Sequence, residues 1–135
     1  MGVSSMGEKP KILIVEDEIV TARSLEKSLQ FMGFEVVGIA ADYNRGIDLA
    51  LEEKPDLVLL DIRIKGEYDG ITLAQRIQAH ADIPIIYLTA HADTETVTRA
   101  VHTRPYNYLV KPYTDEQLNE AILDALARHQ AKDGL

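Results

Sequence analysis

The stretch Asp56-Leu-Val-Leu-Leu-Asp-Ile-Arg-Ile-Lys-Gly-Glu-Tyr-Asp-Gly70 contains a short apolar run that ends directly in a carboxylate. The run Leu57–Leu60 has the length and continuity of a strand that is buried on both faces, as in a parallel sheet. Asp61 stands where this strand ends, and it is either a solvated strand end or a chemically active group. A helical pattern starts at Gly70, so the stretch predicts a strand, a loop and a helix in succession.

The same alternation of strand and helix repeats along the chain. Short apolar runs predict five strands, at residues 11–15, 35–40, 56–60, 83–88 and 106–110. Apolar residues spaced three and four apart predict helices at residues 18–32, 43–54, 70–80 and 114–130, and a weaker pattern predicts a short helix at residues 93–102. In the second helix, we expect Ile47, Ala50 and Leu51 to face the core. Strands that alternate with helices form right-handed βαβ units, which predicts an α/β fold with a doubly wound parallel five-stranded sheet.

Length and composition restrict the class of protein. The chain has 135 residues, of which 46% are apolar and 27% charged, and these values are typical of a single globular domain. Cysteine is absent, which excludes disulfides, thiol catalysis and thiolate metal sites. The formal net charge of −8 argues against direct nucleic-acid binding, because that binding depends on Lys and Arg side chains.

The chain is expected to contain one domain in the cytoplasm. We predict a flexible lead-in at residues 1–9, a folded domain at residues 10–130 and a short tail at residues 131–135. No apolar run is long enough to cross a membrane, and the lead-in lacks the apolar core of an export signal.

Polar residues follow four of the five predicted strands. Glu16 and Asp17 follow the first strand, Asp61 the third, Thr89 the fourth and Lys111 the fifth. In open parallel sheets, ligands bind at the carboxyl ends of the strands. Each residue alone is more simply interpreted as a solvated loop residue, a helix cap or a lysine before a turn. Their arrival at one edge of the sheet favours a functional site instead.

The residue types of this set favour a divalent cation and a phosphoryl group. If the first and third strands are neighbours, Glu16, Asp17 and Asp61 crowd negative charge, and like charges raise one of the pKa values. A cation relieves this repulsion, and oxygen ligands without His or Cys suit Mg²⁺. Thr89 and Lys111 could bind phosphoryl oxygens through a hydroxyl and an ammonium group. A carboxylate is then the acceptor, since aspartyl phosphate is an established covalent intermediate.

These motifs resemble the receiver domain of two-component response regulators over about residues 9–128. The acidic pair lies in KILIVEDE, the phosphoacceptor in LVLLDIRI, the hydroxyl residue in IIYLTAHAD and the lysine in YLVKPY. Tyr108, three residues before Lys111, matches an aromatic position of the family, and Asp69-Gly70 matches an Asp-Gly before the third helix. The resemblance implies the flavodoxin-like strand order 2-1-3-4-5 and a cis peptide bond before Pro112.

The resemblance also implies how metal and phosphoryl group are bound. Asp17, Asp61 and the backbone carbonyl of Arg63 would bind Mg²⁺ directly, and Glu16 would act through water. Asp61 would accept a phosphoryl group from a sensor histidine kinase, a histidine phosphotransfer protein or a small phosphodonor.

The resemblance also implies which residues bind the phosphoryl oxygens and which control the effects of phosphorylation. Thr89 and Lys111 would bind the oxygens. Rearrangement of Thr89 and Tyr108 would reshape the face formed by the fourth helix, the fifth strand and the fifth helix. That face would serve a downstream protein target or a homodimer. Arg63 and His91, two residues past the acceptor and past the hydroxyl residue, match positions that tune dephosphorylation.

One loop departs from the family pattern. The loop after the acceptor usually resembles Met-Pro-x-x-Asp-Gly, whereas residues 64–70 are Ile-Lys-Gly-Glu-Tyr-Asp-Gly, without the proline and one residue longer. This form is similar to a subgroup of receivers, single-domain or attached to sensor kinases, that have a stretch like Thr103 to Tyr108.

Two other classes share part of the site. An aspartate-nucleophile phosphatase of the haloacid dehalogenase type also uses Asp, Mg²⁺, a hydroxyl residue and Lys. Its general acid would stand at the position of Arg63, and its nucleophile follows the first strand, not the third. A pseudo-receiver would keep the fold without phosphorylation, but the complete set of polar residues argues against it. We therefore expect a receiver and not a multiple-turnover enzyme.

Overall fold

Five parallel strands and five helices alternate within residues 8–133, the part of the chain that the computed structural model describes. The strands are β1 (Lys11–Val15), β2 (Glu35–Ala40), β3 (Leu57–Leu60), β4 (Ile85–Thr89) and β5 (Asn107–Val110). The helices are α1 (Ile19–Phe31), α2 (Tyr43–Glu53), α3 (Gly70–His80), α4 (Thr94–Val101) and α5 (Asp115–Asp133). The strand order β2-β1-β3-β4-β5 confirms the predicted doubly wound fold. The predicted lead-in lies mainly outside the described residues, as does the end of the predicted tail.

The sheet separates two apolar cores, one on each face. Leu13 and Val15 of β1 point to the face covered by α2, α3 and the end of α4. Ile12 and Ile14 point to the opposite face, which α1 and α5 cover. Side chains of β1, β3 and β4 are buried on both faces, apart from Lys11. This two-sided burial explains why these strands are continuous apolar runs instead of alternating patterns.

Two local predictions need correction. The fourth strand begins at Ile85 and ends at Thr89, so Thr89 is its last residue instead of following it. Pro84 precedes the strand because it has no backbone N–H, although its carbonyl still accepts a hydrogen bond from Val58 N at 3.0 Å. Leu51 was predicted to face the core but is 41% exposed, because α2 buries Gly46, Leu49 and Ala50 instead.

The start of α3 is fixed by one carboxylate. Asp69 Oδ1 accepts a hydrogen bond from the backbone amide of Thr72 at 2.9 Å, which is a helix N-cap. Its Oδ2 accepts a second bond, at 2.9 Å, from Nη1 of Arg99 on α4. Burial alone would raise the pKa of Asp69, but these hydrogen bonds outweigh burial and hold the pKa below its ordinary 3.8.

Replacing Asp69 by Ala should lower the free energy of unfolding by about 1–2 kcal/mol near neutral pH, because a cap and an exposed ion pair are both lost. The pKa of Asp69 is lower in the folded chain than in the unfolded chain. Its stabilisation is therefore present above pH 3.8 and is lost as the pH falls through the folded pKa. Urea unfolding of wild type and Asp69→Ala at a series of pH values measures this difference. Asp69→Asn, which keeps a capping side chain, should lose less. A difference that does not shrink in acid would contradict the explanation.

Candidate functional site

The predicted site residues leave the sheet at the same edge because their strands are parallel and neighbouring. In the register of β1 with β3, Val15 lies opposite Leu60. Glu16 and Asp61 therefore follow their strands at the same level, and Asp61 N donates to the carbonyl of Val15 at 2.9 Å. Both side chains are nearly buried, with 6% of Glu16 and 9% of Asp61 exposed. The sequence prediction that these acids lie close together agrees with this placement.

Lys111 joins the two buried carboxylates. Its Nζ lies 3.0 Å from Glu16 Oε1 and 3.1 Å from Asp61 Oδ2. Its backbone amide donates to the carbonyl of Thr89 at 2.8 Å, which holds the end of β5 beside the end of β4. The following peptide bond, to Pro112, is cis. One ammonium group therefore balances two acids that come from different strands.

The environment of these groups shifts their pKa values. Burial raises the pKa of the Glu16 carboxyl, although hydrogen bonds from Glu18 N–H and from Lys111 oppose the shift. Burial of Lys111 would lower its pKa, but the hydrogen bonds to Glu16 and Asp61 outweigh burial, so the pKa is raised. Lys111 is therefore charged at neutral pH.

Asp61 has a second partner in the main chain that follows it. The backbone amide of Arg63 donates to Asp61 Oδ1 at 3.2 Å, while the Arg63 side chain is exposed. The side-chain partner of Asp61 is thus Lys111, and the contribution of Arg63 comes from its backbone. Because one carboxylate oxygen of Asp61 accepts from Arg63 and the other from Lys111, the carboxylate has a fixed orientation.

The chemistry of the donor set is compatible with Mg²⁺. Asp17 is half-buried next to Glu16 at the same edge. Within residues 8–133, no three His, Cys, Asp or Glu side chains are grouped as a metal cluster. The predicted set needs only the carboxylates of Asp17 and Asp61 with the carbonyl of Arg63, because Mg²⁺ usually keeps several waters and one or two carboxylates.

A connected group beside Asp61 contains Thr89, His91 and Tyr108. Thr89 is fully buried, and its Oγ1 accepts a hydrogen bond from His91 N at 3.3 Å. Burial raises the pKa of the Tyr108 hydroxyl, and this hydroxyl donates to the backbone carbonyl of His91. The two predicted switch residues are therefore linked through the backbone of a third predicted residue.

A buried hydrogen-bonded group beneath α4 was not predicted from the sequence. Thr103 Oγ1 donates to the carbonyl of Ala100 at 2.6 Å, so the Tyr87 hydroxyl, 2.8 Å away, must donate to Thr103. Gln78 of α3 donates to the carbonyl of Thr103 at 2.6 Å. Burial raises the pKa of Tyr87 to about 12, which keeps the donor protonated. These bonds attach the end of α4 to β4 and α3. The only sequence signal for this group was the threonine at the start of the stretch Thr103 to Tyr108.

The strand order and the polar residues at the carboxyl edge are those of a receiver-type module. The chain belongs to the response regulator receiver domain family, whose family model matches residues 12–123. This match confirms the family predicted from the sequence motifs. None of the helices within residues 8–133 has the length and apolar character needed to cross a membrane.

Curated relatives are longer than this chain. It is 37% identical over 118 residues to the transcriptional regulatory protein PdtaR of Mycobacterium tuberculosis, covering 87% of this chain and 57% of the relative. It is 38% identical over 120 residues to the probable transcriptional regulator ycf27 of Cyanophora paradoxa, covering 89% and 49%. The chain thus spans about half the length of these relatives.

Solved structures with the same fold cover nearly the whole chain. The receiver domain of a modulated diguanylate cyclase from Desulfovibrio desulfuricans G20 aligns with a TM-score of 0.87 at 33% identity, covering 93% of this chain and 99% of that one. A CheY-like receiver domain protein from Methanospirillum hungatei JF-1 aligns with a TM-score of 0.85 at 26% identity, again covering 93% and 99%.

Proposed function

We propose that this receiver domain is phosphorylated on Asp61 in a Mg²⁺-dependent reaction, by a sensor histidine kinase or a histidine phosphotransfer protein. The observation that carries the proposal is the fixed, nearly buried carboxylate of Asp61, with Lys111 Nζ 3.1 Å from Oδ2. We expect the transfer to take place in the cytoplasm.

The proposed metal site combines side chains of β1 and β3 with one backbone group. Asp17, Asp61 and the carbonyl of Arg63 would hold Mg²⁺, and Glu16 would reach it through water. When bound, Mg²⁺ neutralises charge that develops on the transferred phosphoryl group. Glu16 also keeps its contact with Lys111, so this acid supports both parts of the site.

Asp61 would act as the nucleophile of the transfer. A carboxylate oxygen forms a bond to phosphorus while the bond between phosphorus and the donor breaks, and the electron pair leaves with the donor. The step uses a carboxylate as the nucleophile, so it does not require a general base. The ammonium group of Lys111 would stabilise negative charge on the phosphoryl oxygens. The Thr89 hydroxyl accepts from His91 N, so its own proton can be donated to another phosphoryl oxygen.

The signal would pass from Thr89 to the surface formed by α4, β5 and α5. A shift of the Thr89 hydroxyl towards the phosphoryl group would alter its bond from His91, whose carbonyl accepts from Tyr108 of β5. Each of the three elements carries an exposed apolar side chain, with Val101 58%, Val110 41% and Leu123 52% exposed. This surface would bind a downstream protein or a second copy of the chain.

A turnover phosphatase is a weaker proposal for the same residues. Receiver domains are generally not multiple-turnover enzymes. The position that would supply the carboxylic acid of such an enzyme is Arg63, and a guanidinium group donates hydrogen bonds but does not serve as a general acid. Slow loss of its own phosphoryl group is what we expect of this chain.

Acetyl phosphate with Mg²⁺ should add one phosphoryl group to the wild-type chain, because a small phosphodonor can replace the kinase. Intact-protein mass spectrometry would detect the added mass, and EDTA should abolish it. Asp61→Asn should gain nothing, whereas Asp48→Asn, which changes an exposed acid on α2, should behave as wild type. Absence of a mass gain in wild type, or an equal gain in Asp61→Asn, would refute the proposal.

Alanine at Arg63 or His91 should shorten the phosphoryl lifetime several-fold. Arg63 is exposed and His91 half-buried beside the acceptor, and their side chains would restrict the water that attacks in line. The decay of the phosphorylated mass after removal of the donor measures the lifetime. Arg76→Ala, at an exposed arginine of α3, is the matched control. Decay rates equal to wild type in both variants would show that neither side chain controls hydrolysis.

A further inference from the structure

The loop between β3 and α3, residues 63–69, is closed at its base beside Asp61. The Gly70 amide donates to the carbonyl of Ile62 at 2.6 Å, so the chain leaves and returns at one point. A Cβ atom on Gly70 would lie 2.1 Å from the backbone oxygen of Asp61, which leaves room only for glycine. The base of this loop is therefore part of the framework that surrounds the acceptor.

The far side of the same loop is attached to the start of α2. Lys65 forms an isolated parallel β-bridge with Asp42, whose side chain caps α2. The rings of Tyr68 and Tyr43 pack with their centroids 4.8 Å apart and their planes tilted by 47°, and this separation lies in the range of attractive aromatic pairs. Tyr43 itself packs against the core beneath α2 and α3. We call the Tyr43–Tyr68 ring pair and the Asp42–Lys65 bridge the loop clamp.

The backbone of Arg63 lies between the base of the loop and the loop clamp. Its amide contacts Asp61 at 3.2 Å, and the next residue, Ile64, is half-buried against the core. The loop contains no proline, and Gly66 has a φ of +103°, so its own backbone restricts its conformation little. Contacts with neighbouring elements must therefore supply much of the restriction, and at residues 65 and 68 these contacts are with α2.

We propose that Tyr68 is a positioning residue, which acts through the loop clamp to hold the backbone carbonyl of Arg63 where a divalent cation can bind it. The inference rests on the proposed function and adds to it a contribution from residues outside the cation and phosphoryl contacts. Without the ring contact, the 63–69 loop would sample other conformations, and binding of the cation would have to select one of them.

Amide NMR of the labelled full chain tests the inference, with MgCl₂ as the titrant. Tyr68→Ala should raise the Kd for Mg²⁺ about three- to tenfold, because this change in binding free energy is on the order of that of one aromatic pair. In the spectrum of Tyr68→Ala without Mg²⁺, the amide signals of Arg63 and Ile64 should already be shifted or broadened relative to wild type. Tyr68→Phe keeps the ring and should match wild type. Phe31→Ala removes another exposed ring, 93% exposed on α1, and should also match wild type.

The outcomes separate this inference from the proposed function. Tyr68 is 47% exposed, so Tyr68→Ala should fold, and the dispersion of its amide signals reports folding in the same spectra. An unchanged Kd in Tyr68→Ala, with wild type binding Mg²⁺ normally, would overturn the inference and leave the proposed function intact. Equal weakening in Tyr68→Phe would also overturn it, since the hydroxyl would then be responsible. If wild type binds no Mg²⁺, both proposals fail.

Discussion

One ammonium group shared by two nearly buried carboxylates is the contact on which the site depends. Glu16 and Asp61 end adjacent strands, and two uncompensated acids so close together would be costly to bury. Lys111 compensates them both, at 3.0 and 3.1 Å, which requires the end of β5 to lie across β4 from β3. The contact therefore depends on the strand order, because in a different order the Lys111 ammonium group would not lie beside both carboxylates.

Two loops extend from this centre and have different attachments. On one side, the backbone of Arg63 leads into a loop that returns to its origin at Gly70 and contacts α2 through Tyr68. On the other side, the backbone of His91 connects the buried Thr89 to Tyr108 on the edge strand. The first attachment favours a fixed geometry around Asp61. The second joins the end of β4 to β5, on which Val110 is an exposed apolar side chain.

The sequence predicts the sheet well and the contacts between distant segments poorly. Buried parallel strands are continuous apolar runs, and their carboxyl ends must meet, so the grouping of Glu16 with Asp61 could be inferred. The sequence does not show which residue of the apolar run Leu49 to Leu51 is exposed to solvent. The prediction that Leu51 faces the core was therefore wrong. The contacts of Tyr87 with Thr103 and of Tyr43 with Tyr68 join residues 16 and 25 positions apart, and no local periodicity reports them.

Chemical trapping identifies the acceptor residue most directly. Borohydride reduces an aspartyl phosphate to homoserine, and peptide mass spectrometry then locates the reduced residue in the chain. After treatment with acetyl phosphate and Mg²⁺, we expect homoserine in place of Asp61, with Glu16 and Asp17 unmodified. Reduction at Asp17, or at no residue while the phosphodonor is consumed, would contradict the role assigned to Asp61.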